Sequence, residues 1–259
     1  MCIRDRCGVE VTHNGEIIIA EFGAHCITLL NKNRKRVRSF GTWGTKDGQF
    51  TYPCGVAISN DGHILVTDEQ RIQKLTFEGD CITSVGNTGS GSLQFNTPRG
   101  IAVHPTTGQI FIADTSNHCI QVLNNDLTYS YSFGKNGSST KQFNCPYDVT
   151  FDNEGYLYVA DFGNNCIKKF TPNGQYITKI GFRQLKKPTS VVIDVNNLVY
   201  VSERGNFCVS IFDSNGCFIH SLGKYGSDNG EFNRPCGITV DALGHLYVSD
   251  TWNNRLVVL

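Results

Sequence analysis

Proline opens the same short apolar segment five times: PCGVAI at 53, PRGIAV at 98, PYDVTF at 146, PTSVVI at 188 and PCGITV at 235. The steps between them are 45, 48, 42 and 47 residues. CGVEVT, beginning at Cys7, matches CGVAIS at Cys54 and makes a sixth copy. A period in the forties that carries only short strand signals restricts the chain to propeller blades or a comparable array.

Each copy has the same internal grammar. A first strand such as GIAV runs into a Gly or Asn turn at Gly15, Gly62, Gly108, Gly155, Asn197 or Gly244. A second strand follows (EIIIAE, HILVTD, QIFIAD, YLYVAD, LVYVSE, HLYVSD), then a short polar loop and a third strand such as CIQVL. A second turn leads to a fourth strand such as YSYSFG. Four short runs joined by turns form an antiparallel meander. One meander cannot bury both faces, and radial stacking on its neighbours does so. The expected fold is all-β: a six-bladed propeller of four-stranded blades over residues 7–259, with repeats starting near 7, 53, 98, 146, 188 and 235. The last copy stops after its third strand, so it lacks its outer one. Residues 1–6, MCIRDR, match no part of the repeat and read as a foreign leader or truncation scar.

The charge balance narrows the function. Lys+Arg is 23 and Asp+Glu is 23 in 259 residues. This excludes a protein built on bulk nucleic-acid attraction, and no DNA partner is expected. No apolar run reaches the roughly 18 residues of a membrane span, and no charged-then-apolar leader is visible. A cytoplasmic location without a membrane partner follows as an expectation.

The polar loop before the third strand reads DTSNHCIQVL at 114–123, DFGNNCIKKF at 161–170 and DTWNNRLVVL at 250–259. With the FG..G...F..P connector and the spacing, the triplets Asn117-His118-Cys119, Asn164-Asn165-Cys166 and Asn253-Asn254-Arg255 resemble the NHL family over nearly the whole chain. Among its members the repeat is most similar to the C-terminal propellers of TRIM-NHL ubiquitin ligases. That resemblance implies a target-selecting module for a ligase located elsewhere in a parent polypeptide, because the RING, B-box and coiled-coil parts are absent here. The resemblance also extends to a secreted peptide-amidating lyase that uses zinc held by histidines. This reading is disfavoured, because the seven histidines do not group in the repeat frame.

No catalytic set emerges. Asp68, Asp114, Asp161, Glu203 and Asp250 recur at one position and read as turn formers. Glu10 is the acid found on a first strand, which does not make a metal ring. Eleven cysteines are present, and Cys26, Cys119, Cys166 and Cys208 share one position in four blades, too far apart for disulfides, which need Cα atoms within about 7 Å. All eleven are expected as free thiols in a reducing compartment. Cys7, Cys54 and Cys236 fall together near the channel mouth, where a tri-thiolate metal site is the minor reading. No cofactor and no metal are expected.

The connectors and the Asp-led loops should share one face, the top. The residue after each repeat proline should rim the channel there: Cys7, Cys54, Arg99, Tyr147, Thr189 and Cys236. The connector GFRQLKKP supplies Arg183, Lys186 and Lys187; neighbouring segments add Arg99, Lys135, Lys141 and Arg204, with Tyr147 placed to stack. Such a basic notch with an aromatic suits single-stranded RNA or an acidic peptide. A second basic run, Lys32, Arg34, Lys35, Arg36 and Arg38, belongs to a hairpin on the bottom face and reads as a solvated tip or a nuclear-localisation patch. The leading expectation is a non-catalytic recognition module for a protein or RNA target. Its alternative is an RNA-binding domain of post-transcriptional repression. Any oligomerisation is expected to come from regions outside these residues.

Overall fold

The second strand of every repeat is apolar on both sides, and the reason is visible in the computed structural model, which describes residues 6–259. Ile17–Glu21, Ile64–Asp68, Ile110–Asp114, Leu157–Asp161 and Leu246–Asp250 are buried throughout, because each lies between neighbouring blades. The outer strands face water instead; Phe218–Leu222 is exposed at four of its five positions. Blade one comprises Arg6–Val11, Ile17–Glu21, Cys26–Leu30 and Arg36–Phe40, paired in that order. The inner strands of blades two to six are Pro53–Ile58, Pro98–Val103, Pro146–Phe151, Pro188–Ile193 and Pro235–Val240. The expected six-bladed antiparallel propeller is what forms.

The apolar clusters lie between blades. Ile18, Ala20 and Ile27 of blade one pack on Val56, Ile64 and Val66 of blade two. Val9, Ile17 and Ile19 pack on Tyr247 of blade six, which closes the ring. Each long connector contributes a fully buried ring: Phe50, Phe95, Phe143 and Phe232. The short connector after blade four uses Leu185 for the same purpose. Burying such a side chain contributes roughly 1.5–3 kcal/mol.

Every inner strand is bulged just after the repeat proline, with register shifts at Pro53/Val56, Pro98/Ile101, Pro146/Asp148, Pro188/Ser190 and Pro235/Ile238. The bulge brings adjacent inner strands backbone to backbone around the axis. A Cβ on Gly237 would collide with the Cys7 carbonyl, and one on Gly55 with that of Arg99. Glycine is required there by close approach.

Blade six has three strands among the described residues: Pro235–Val240, Leu246–Asp250 and Arg255–Val258. Leu256 and Val258 pack on blade one, but the outer edge of their strand pairs with no other described strand. An unpaired apolar edge favours self-association. A chain extended by a fourth strand like FIHSLG should melt higher and scatter less light; identical melting and scattering would show that the edge is already protected. The leader reading of residues 1–6 lies outside the described residues, apart from Arg6, whose backbone begins the first strand.

Candidate functional site

The recurring acids are buried clamps rather than local caps. The short 3-10 turns that follow them carry no side-chain cap bond. Instead Asp114 accepts the Asn96 amide at 2.9 Å, Asp161 the Asn144 amide at 2.8 Å, and Asp250 the Asn233 amide at 2.7 Å. Each thereby ties the incoming connector to its blade. The first Asn of the triplet completes the clamp: Asn117, Asn164 and Asn253 donate to these carboxylates and to the carbonyls of Gly89, Gly137 and Gly226 in the connectors. Burial pushes the carboxyls of Asp68, Asp114, Asp161 and Glu203 upward. The seventh residue after each acid varies: Gln121 donates to Asp114, whereas the buried Lys168 pairs with Asp161 at 2.9 Å.

The second triplet residue holds the next repeat. His118 and Asn165 adopt left-handed torsions and accept the amides of Cys145 (3.0 Å) and Lys187 (2.8 Å). Those acceptors catch the residues just before Pro146 and Pro188, and the residue before four of the five repeat prolines is itself left-handed: Thr97 (φ 57), Cys145 (φ 53), Lys187 (φ 53) and Arg234 (φ 57). Loops and connectors therefore do share one face.

At the axis the structure corrects the thiol reading. Cys7 and Cys54 are joined as a disulfide, with Cα atoms 5.1 Å apart. Distance forbids bonds at the loop radius, and Cys26, Cys119, Cys166 and Cys208 are indeed free. At the rim the inner strands converge, and neighbouring blades come within bonding range. Cys236 approaches from the other side, its Sγ 3.6 Å from that of Cys7. Thr189, also expected at the rim, is buried; its hydroxyl donates to the Pro235 carbonyl at 2.9 Å.

Below the rim runs a channel of about 470 Å³, lined by Glu10, Arg99, Tyr147 and Asp148 among others. Asp148 escaped the sequence reading. It stands where Gly8, Gly55, Gly100 and Gly237 stand in other blades, and that exception was the available signal. It accepts from the Ser190 hydroxyl and the Val191 amide of the next blade. Desolvation pushes Asp148 up to about 6. Desolvation first, then the Asp148 charge, pushes Glu10 up to about 8. Among the described residues no group of three His, Cys, Asp or Glu side chains could hold a metal ion.

The expected basic notch divides in two. At the mouth Arg99 lies 4.4 Å from the Tyr147 ring centroid, and Tyr147 stacks on Phe162 at 4.2 Å. Two groups that close must occupy opposite faces, so Tyr147 has no open face for a base. Outside it lie Arg183, Lys186 and Lys187, all exposed. Arg183 and Lys186 line a shallow depression with Phe182 and Asn206, and Lys187 Nζ is 5.9 Å from the Phe162 ring. Lys135 and Lys141 are exposed on their connector, and Arg204 is half-buried near the mouth. Asp161 and Glu203 do not oppose these cations at the surface, being 0% and 1% exposed. The sequence reading missed Arg234, 3.3 Å over the exposed Trp252, and the exposed Phe182 with Lys179 Nζ at 3.8 Å. The bottom-face run is also exposed, and Arg38 reaches Glu78 at 3.9 Å.

A ring of blades locked by Asp–Asn clamps defines a six-bladed β-propeller of one recurrent loop type. The chain carries NHL repeats: the NHL repeat family matches residues 95–123, 143–170, 185–212 and 232–259. It is similar to Protein brain tumor of Drosophila melanogaster, 33% identical over 145 residues, covering 55% of this chain and 14% of that protein. It is likewise similar to human NHL repeat-containing protein 3, 33% identical over 107 residues, 38% of this chain and 30% of that one. The matches thus span less than a third of either relative. Among solved structures, a virginiamycin B lyase from Staphylococcus aureus with quinupristin superposes with a TM-score of 0.70 over 100% of this chain and 82% of that one. At 18% identity this likeness shows the fold alone. No helix among the described residues is long and apolar enough to cross a membrane.

Proposed function

We propose that the chain is a non-catalytic recognition module that holds a protein or RNA target on its top face, and that single-stranded RNA is the ligand class this surface suits best. The observation that carries this reading is the alternation of cations and aromatic rings: half-buried Arg234 on exposed Trp252, and exposed Lys179 and Arg183 beside exposed Phe182, with Lys187 beside the half-buried Phe162. Phosphates pair with the cations and splayed bases stack on the rings, without need of net positive charge. The resemblance to TRIM-NHL propellers supports placing the module in the cytoplasm, where it would select targets for a ligase carried elsewhere in a longer polypeptide.

The test uses labelled random-sequence single-stranded RNA and fluorescence anisotropy. Reversing charge at Arg183, Lys186 and Lys187 should weaken binding at least about tenfold, and affinity should fall steeply with salt. Reversal at Arg34, Lys35 and Arg36 should leave affinity unchanged. Because Tyr147 is sandwiched, the stacking loss should appear in Trp252→Ala, on the order of 1–3 kcal/mol. Equal losses from top and bottom reversals would reduce the site to diffuse attraction. No binding to RNA, with retention of an acidic peptide, would turn the reading toward a protein target.

A further inference from the structure

Three sulfurs from three blades meet at the rim. Cys7 of blade one is bonded to Cys54 of blade two, and Cys236 of blade six lies 3.6 Å from the Cys7 sulfur on the other side. The Arg99 guanidinium stands 3.7 Å from the Cys54 sulfur through Nη1. Its Nε is buried and finds no acceptor. We propose that these residues form a thiol–disulfide exchange site, in which the bond migrates from Cys7–Cys54 to Cys7–Cys236.

The step balances internally. The Cys236 thiolate attacks the Cys7 sulfur, a new S–S bond forms, and the Cys7–Cys54 bond breaks with its electron pair leaving on Cys54. That thiolate forms against the Arg99 guanidinium, which favours it as the leaving group. The proton lost by Cys236 passes to water in the channel, and Cys54 regains one from the same source. Nothing is oxidised or reduced overall.

The groups facing Cys236 set its pace. Burial raises its thiol, Arg99 and Arg204 lower it, and Asp148 raises it. The exchange is therefore slow near neutrality and quickens with pH, about tenfold per unit while the thiol remains mostly protonated. Migration also moves the covalent tie. Cys7–Cys54 joins blades one and two, whereas Cys7–Cys236 joins the first blade to the last, which is the three-stranded one. Intracellular disulfides are usually transient or redox-sensing, which fits a bond that can move. The inference does not depend on what the top face binds.

The whole chain, purified without reductant, is held at pH 7 and at pH 9, quenched with acid and alkylated. It is then digested without reduction, and the linked peptides are identified by mass. We expect the Cys7–Cys54 peptide at early times and growing Cys7–Cys236 at pH 9. Cys54→Ser should yield only Cys7–Cys236 on addition of glutathione disulfide. Cys236→Ser should keep Cys7–Cys54 without migration. Arg99→Gln, folded by circular dichroism, should slow migration severalfold. Eleven alkylated thiols, a Cys7–Cys54 bond unchanged after prolonged incubation at pH 9, or one tightly held zinc per reduced chain would each overturn the proposal.

Discussion

Asp161→Ala should destabilise the propeller by about 3–5 kcal/mol, because it strands a buried charge. Lys168 is 2% exposed and its Nζ lies 2.9 Å from the Asp161 carboxylate, with the Ser139 and Gln142 carbonyls as its other acceptors. The same substitution also removes the acceptor of the Asn144 amide and one of the two acceptors of the Asn164 side chain. Blade three shows how the site tolerates neutrality, since Gln121 occupies the equivalent place beside Asp114. Lys168→Gln should therefore cost little, on the order of 1 kcal/mol, and Asp161→Ala combined with Lys168→Gln should recover part of the loss. Chemical denaturation of the three variants measures this. Equal destabilisation by Lys168→Gln and Asp161→Ala would show that the ion pair, not the stranded charge, dominates.

Stability should fall as pH rises from about 4.5 to about 8, and Glu10→Gln should flatten that fall. The sign follows from the direction of the shift. Glu10 titrates near 4.5 unfolded but about 8 folded, because burial and the Asp148 charge oppose its ionised form. A folded group that holds its proton more tightly adds no penalty below the lower value and its full penalty above the higher one. Each unit corresponds to about 1.4 kcal/mol, and because Glu10 is only half-buried, solvent screening reduces the total to a few kcal/mol. Asp148, shifted to about 6, leaves a smaller slope at lower pH in the variant. Thermal midpoints of the native chain and Glu10→Gln should coincide at pH 4 and separate at pH 9. Parallel curves would place Glu10 in contact with bulk water.

The blades were legible because six copies repeat one pattern, and errors in any single segment cannot hide a period. The clamp acids were found by the same repetition, yet their partners were not, because Asn96, Asn144 and Asn233 belong to the preceding connector. Contacts between blades leave no local signal in the sequence. Tyr147 was singled out, but Phe162 beneath it and Arg99 above it come from a loop and another blade. Arg234 and Trp252 are 18 positions apart along the chain and drew no notice. The disulfide was missed for a geometric reason. Blades diverge with radius, so a separation argument sound for Cys119 and Cys166 does not extend to Cys7 and Cys54 at the axis.

The left-handed residue before four of the five repeat prolines has an evolutionary consequence. Thr97, Cys145, Lys187 and Arg234 share one strained torsion with four unlike side chains. The amides of Cys145 and Lys187 are held from the preceding loop through their backbone, so the side chains are free to differ. Exchanging one for another alters what the surface presents while leaving the conformational penalty nearly constant. Duplicated copies of such a gene can therefore acquire new preferences one position at a time without first gaining spare stability. Divergence in targets should outrun divergence in shape.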